Sequence, residues 1–170
     1  MQRPAKKEYA AYYQGYIDAV PNGDLLVIME KQNTQLCEFF AHVNEEKANY
    51  RYAEGKWTLK EVLGHVVDVE LIFLNRALRI SRGDKQNIPG FEQEDYVANS
   101  NFSNLTLDEI VEQFYLIRKS SVAIFKSLSE KMWGLSGVAN NQKVTVRAIA
   151  YIMAGHVIHH MKIIAGKYLK

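Results

Sequence analysis

Two Thr-x-x-Glu sequences, Thr58 to Glu61 and Thr106 to Glu109, each stand directly before a stretch whose apolar residues recur at helical spacing. In such a box the threonine hydroxyl accepts the N–H three residues on, and the glutamate accepts the N–H of the threonine, so two open donors of a helix start are satisfied together. After Thr58 come Val62, Val66, Val69, Ile72, Phe73 and Ala77, ending near Gly83; after Thr106 come Ile110, Val111, Phe114, Ile117, Ile124, Phe125 and Leu128. Asp24 is the expected cap for a helix to about Val43, with Leu25, Ile28, Met29, Gln32, Leu36, Phe39, Phe40 and Val43 on one face. Thr145 opens a last one carrying Val146, Ile149, Met153, His156, Val157, His160 and Ile164, ending near Gly166. Four amphipathic helices, with no alternating strand pattern of comparable strength, predict an all-α four-helix bundle.

Two segments lie outside these helices. Tyr9, Tyr12, Tyr13 and Tyr16 fall at i, i+3, i+4 and i+7, one face of an additional short N-terminal helix that Pro21-Asn22-Gly23 would end. That stripe either docks on the outside of its own bundle or serves self-association. The connection between the second and third bundle helices, from Gly83 to Ser103, is long for a structureless loop and carries Phe91, Tyr96 and Phe102 among acidic residues. A short helix or a lid is expected there, its aromatics plugging one end of the bundle or covering a ligand site.

At 170 residues the chain is long enough for one self-sufficient core, and residues 1–170 are expected to form a single domain. Cys37, the one cysteine, cannot make an internal disulfide or a Cys-x-x-Cys zinc or redox motif, which fits a reducing cytoplasm. No apolar run approaches the roughly 18 residues of a membrane span, and the N-terminus has no apolar core, so neither membrane insertion nor secretion is expected. The 21 basic and 19 acidic side chains give a net charge of +2 and are dispersed, leaving no nucleic-acid footprint.

His156 and His160 are four apart, which puts both imidazoles on one helix face a turn apart, within reach of a single metal. His65 borders the core face of the second bundle helix, and a metal would satisfy three buried imidazoles at once. His159 can replace His160 as the ligand or stand behind it, whereas His42 is expected at the surface. There is no His-Glu-x-x-His, because Val157 follows His156, and no Glu-x-x-His, so the metalloprotease and di-iron carboxylate arrangements are both missing. Three neutral imidazoles suit one divalent ion, zinc or nickel first and then iron, with a coordination position left for water or substrate. Glu61 and Asp68, one turn either side of His65, would orient a bound molecule or else be solvated charges. Because a ligating imidazole must be unprotonated, binding is expected to weaken below about pH 6.5.

The stretch Gly55-Lys56-Trp57-Thr58-Leu59-Lys60-Glu61-Val62-Leu63-Gly64-His65, with Pro89-Gly90-Phe91 and Ala154-Gly155-His156-Val157-Ile158-His159-His160, resembles the DinB-like superfamily of four-helix-bundle, metal-binding proteins, which includes thiol-dependent S-transferases. The resemblance covers nearly the whole chain. It implies a metal triad on His65, His156 and His160, an intracellular and frequently dimeric protein, and no nucleic-acid partner. It further implies that the metal activates a low-molecular-weight thiol such as bacillithiol or mycothiol for attack on a small electrophile; by its chemistry the same three-imidazole site can activate water instead. The competing expectation is a non-catalytic metal-binding or interaction protein whose ion stiffens the bundle. An accessible pocket at the metal's open position favours the enzyme; a saturated, buried ion favours the structural role.

Overall fold

Both capping boxes form in the computed structural model, which describes residues 2–169. Thr58 Oγ1 accepts the Glu61 N–H at 3.1 Å while Glu61 accepts the Thr58 N–H at 2.6 Å, and the Thr106–Glu109 pair repeats the arrangement at 3.2 and 2.7 Å. In chain order the helices are α1 (Gln14–Ala19), α2 (Leu25–Phe40), α3 (Glu45–Ala48), α4 (Leu59–Ser81), α5 (Gln93–Ala98), α6 (Leu107–Lys126), α7 (Glu130–Trp133) and α8 (Val146–Ile163), the last continuing through a wider turn to Tyr168. Asp24 caps α2 and Thr145 caps α8, as their side chains suggest.

The four long helices α2, α4, α6 and α8 form the bundle. Its order in space is not its order in sequence. α2 packs on α6, α6 on α4, α4 on α8, and α8 back on α2, so α2 faces α4 across the diagonal, as α6 does α8. Such crossings need long connections, and residues 41–58 and 127–145 supply them. Val146–Tyr168 is long and apolar enough to cross a membrane by length and composition, but 61% of its most apolar window is buried here against the other helices.

One feature is absent from the helical reading: a three-stranded sheet of β1 (Asn87–Ile88), β2 (Ser136–Ala139) and β3 (Gln142–Thr145). β1 runs parallel to β2, with Ile88 opposite Ala139; β2 and β3 are an antiparallel hairpin with Ser136 opposite Thr145. Its turn residues Asn140 and Asn141 have φ of 49° and 59°, the left-handed pair that a two-residue hairpin with the right twist needs and asparagine tolerates. The sheet ties the long α4–α6 connection to the α6–α8 connection, and β3 feeds directly into α8.

The N-terminal segment is less helical than its tyrosine spacing suggests. Two short 3-10 turns, Lys6–Glu8 and Ala11–Tyr13, precede α1, and Tyr9 between them is extended. Glu8 holds this segment to the start of α8 by accepting from Arg147 Nε and Nη2 at 2.6 and 2.7 Å and from Thr145 Oγ1 at 2.9 Å. Burial raises the Glu8 carboxyl's pKa, but these donors outweigh it and leave the group below its ordinary range. Tyr9 is buried and Tyr13 and Tyr16 are half-buried against their own bundle, which leaves Tyr12 as the outward member of the stripe.

The buried apolar side chains divide into two clusters instead of one continuous core. One gathers around Met29, Phe73, Phe125 and Ile149, the other around Phe40, Leu63, Phe114 and Tyr168. Buried polar groups from all four bundle helices include Gln32, Glu70, Arg118, His65 and His156.

Candidate metal centre

His65 lies in the second turn of α4, and His156 and His160 lie on one face of α8, the helix packed against α4. The three rings converge: one nitrogen from each lies within 4.8 Å of the others, and His65 Nε2 is 3.2 Å from His156 Nε2. Two nitrogens bound at 2.0–2.1 Å in a tetrahedral shell would stand about 3.3 Å apart. The triangle therefore has the size for one ion. His160 keeps Nδ1 buried with no hydrogen-bond partner among the described residues, so that nitrogen is not committed to holding the bundle together.

Electrostatics point the same way. Burial pushes the His65 imidazole down to about 4 and that of His160 to about 3, and it drives His156 well below its ordinary value, with repulsion from the neighbouring rings adding to the last two. All three are neutral at pH 7, the form that has a lone pair to give. The fall in metal binding expected near pH 6.5 from a free histidine thus moves to lower pH.

Each of the two buried histidines follows a glycine against which another segment packs. A Cβ on Gly64 would lie 2.3 Å from the Phe102 ring, and one on Gly155 only 1.9 Å from the Tyr16 carbonyl oxygen. Glycine inside a helix costs roughly 1 kcal/mol relative to alanine, so the close approach is what these positions gain. It brings the Tyr16 ring edge-on to His156, with centroids 5.5 Å apart, and burial raises the Tyr16 phenol's pKa. Trp57 covers His65 from its own side at 5.1 Å. Gly155→Ala is expected to push α1 off α8 at a cost of about 1–3 kcal/mol or more in chemical denaturation, because backbone cannot step aside as a flexible side chain can. An unchanged midpoint would show that the approach is not tight.

A cavity of about 620 Å³ reaches His65 and His156 from the α1 side. Its walls come from Tyr12, Tyr13 and Tyr16, from Val69, Phe73 and Arg76 of α4, from Phe91 in the long connection, and from Asn140 and Gln142 at the hairpin turn. His160 lies behind, outside the cavity lining.

Residues 28–164 match the model of the DinB superfamily. The chain belongs to the DinB superfamily. Among curated proteins it is 23% identical over 134 residues to a candidate metal-dependent hydrolase of Oceanobacillus iheyensis, covering 78% of this chain and 77% of that one. Among solved structures it is similar to YfiT from Bacillus subtilis, described as a probable metal-dependent hydrolase with an unusual four-helix bundle topology (TM-score 0.77, 12% identity, 86% of this chain and 90% of that one). It is also similar to a mycothiol-dependent maleylpyruvate isomerase (TM-score 0.67, 15% identity), spanning 85% of this chain and 61% of that longer one. At these identities the two structures speak to the fold.

The other residues singled out from this DinB-superfamily sequence fall outside the triangle. His159 is exposed, its ring against Tyr16 and His160, so between the two neighbours it is His160 that joins the cluster. His42 is exposed at the end of α2. Glu61 is engaged by Thr58 and Arg51, and Asp68, half-buried with its carboxyl pushed up by burial, does not line the cavity. Sequence reasoning missed Arg76, Asn140 and Gln142 as cavity residues. For Asn140 the Asn-Asn pair shortly before the β-branched run Val144-Thr145-Val146 was the available signal; for Gln142 there was none.

Proposed function

We propose that this DinB-superfamily chain is a metal-dependent enzyme whose divalent ion is held by His65, His156 and His160, and that it directs a small nucleophile, water or a low-molecular-weight thiol, at an electrophilic substrate in the adjoining cavity. The observation that carries this reading is the cavity itself, whose lining includes His65 and His156. A structural ion would call for a closed site. When bound, such an ion lowers the pKa of a coordinated water or thiol so that the anion is available at neutral pH. The chain's own groups do the rest: the phenyl and phenol rings of Phe73, Phe91 and Tyr13 give the substrate an apolar wall, and Tyr16 and Trp57 flank the imidazoles and limit water. The hydrolase relatives support water as the nucleophile and the mycothiol-dependent neighbour supports a thiol.

Cobalt substitution separates the two. A thiol entering the shell is expected to give a sulfur-to-cobalt charge-transfer band, appearing with an apparent pKa below the roughly 8.5 of a free thiol. A band absent for every small thiol, with water still exchanging at the ion, would leave hydrolysis. Loss of water exchange as well would end the enzyme reading.

A further inference from the structure

Among the described residues that line the cavity, one side chain is a fixed cation. Arg76 lines the wall yet is only 4% exposed. Its Nη2 donates to the Pro89 carbonyl at 3.0 Å, while Nε is buried with no acceptor among the described residues. The other buried basic side chains, Arg118 and Lys60, are paired with Glu70 and Glu45. Arg76 has no such carboxylate among the described residues; it faces the rings of Phe73 and Phe91 at 4.9 and 5.8 Å, and the Tyr13 phenol stands beside it. The one acidic residue that lines the cavity, Glu92, is exposed and makes no ion pair with it. A desolvated guanidinium without an anion is costly, and a fold keeps one where a ligand supplies the missing charge.

We propose that Arg76 is the anion-recognition residue of this cavity and that the substrate is a small acid bearing a carboxylate, its apolar body lying against Tyr13, Phe73 and Phe91. A single lining arginine, one of whose donors is already given to Pro89, matches one negative charge; a phosphate would call for more. Arg76 follows His65 by three turns of α4, about 16 Å along the axis, and its side chain leans back towards His65. The carboxylate and the reacting atom are therefore several bonds apart, as in an elongated acid. This inference rests on reading the cavity as the substrate site.

Calorimetric titration of the full chain, zinc-loaded and after chelation, with 4-phenylbutyrate, 4-phenylbutanol and a phenylalkyl phosphate tests it. The acid is expected to bind about tenfold or more tighter than the alcohol in both metal states. Arg76→Gln should erase that preference and Arg76→Lys keep part of it, with zinc content unchanged in both. Equal binding of acid and alcohol by the unsubstituted chain, a preference that vanishes on chelation, or one that survives in Arg76→Gln would overturn the proposal; tighter binding of the phosphate would overturn its carboxylate. Should Arg76→Gln fail to fold, the acid–alcohol comparison and Arg76→Lys decide. The cobalt experiment fails independently: acid binding through Arg76 in a chain whose ion exchanges neither thiol nor water keeps this subsite and removes the enzyme.

Discussion

His156→Ala is expected to lower zinc affinity by more than about 100-fold, beyond the roughly 10–100-fold lost when a group behind a ligand is removed. His65→Ala and His160→Ala should match it, and His42→Ala, on an exposed side chain, should change nothing. Competition titration against a chromophoric chelator reads all four, with circular dichroism to show that each variant is folded; full zinc occupancy in His156→Ala would remove the assignment. The same histidines make the metal-free protein sensitive to acid. Their folded-state pKa values lie below the unfolded value near 6.5, so between about pH 6.5 and 4 the unfolded chain binds more protons than the folded one. Stability is then full above pH 6.5 and falls as pH drops through that window, by up to about 1.4 kcal/mol per pH unit for each histidine. Denaturant midpoints of the chelated protein that stay flat from pH 7 to 5 would contradict the burial of these rings.

The bundle was legible because caps and faces agree. Asp24, Thr58, Thr106 and Thr145 each cap the helix that the apolar spacing behind them demands, and those helix starts depend only on neighbours within a few residues. The α2 helix, by contrast, stops at Phe40 and not Val43, because the C-terminal end of a helix frays and depends on tertiary surroundings as much as on local preference. The histidine cluster could be anticipated from one i, i+4 pair and one histidine bordering a core face. The cavity could not, since its walls come from α1, α4, the residue-91 region and the hairpin turn, segments far apart in sequence. The sheet escaped for a related reason: β1 is two residues long, too short for a period to register, and it exists only by pairing with β2. The Tyr9 to Tyr16 stripe looked helical by spacing, yet Glu8 and its ties to Arg147 and Thr145 hold the chain extended at Tyr9. That contact is made across 137 residues or more, out of reach of any local pattern.

Charged residues in the middle of the helical faces carried a signal that spacing alone did not interpret, and they support the second large expectation. Glu70 falls in phase with Val66 and Phe73 on α4, and Arg118 with Phe114 and Phe125 on α6, so opposite charges occupy core positions of adjacent helices. Their side chains are 2% and 0% exposed and pair at 2.8 Å between Glu70 Oε1 and Arg118 Nε and 2.9 Å between Glu70 Oε2 and Nη2. The first is a close charge contact and the second a hydrogen bond, so both carboxylate oxygens face the guanidinium. Arg118 Nη1 then donates to Gln32 Oε1 at 2.8 Å, and Gln32 Nε2 donates to the Ala154 carbonyl at 2.9 Å, two residues before His156. The chain of bonds crosses all four bundle helices and ends on the turn that presents a histidine of the cluster. Glu70→Ala leaves the Arg118 charge buried and unpaired, and is expected to cost about 3–5 kcal/mol in urea or guanidinium unfolding. Replacing both partners, Glu70→Leu with Arg118→Met, should recover most of that loss, since desolvating the pair offsets much of its attraction. If the network also fixes α8, the double variant should fold well yet bind zinc more weakly, because Gln32 loses the donor that orients it towards Ala154. Zinc affinity equal to that of the unsubstituted chain would confine the network to stability, and a Glu70→Ala protein as stable as the parent would mean that water reaches Arg118 and the layer is not closed.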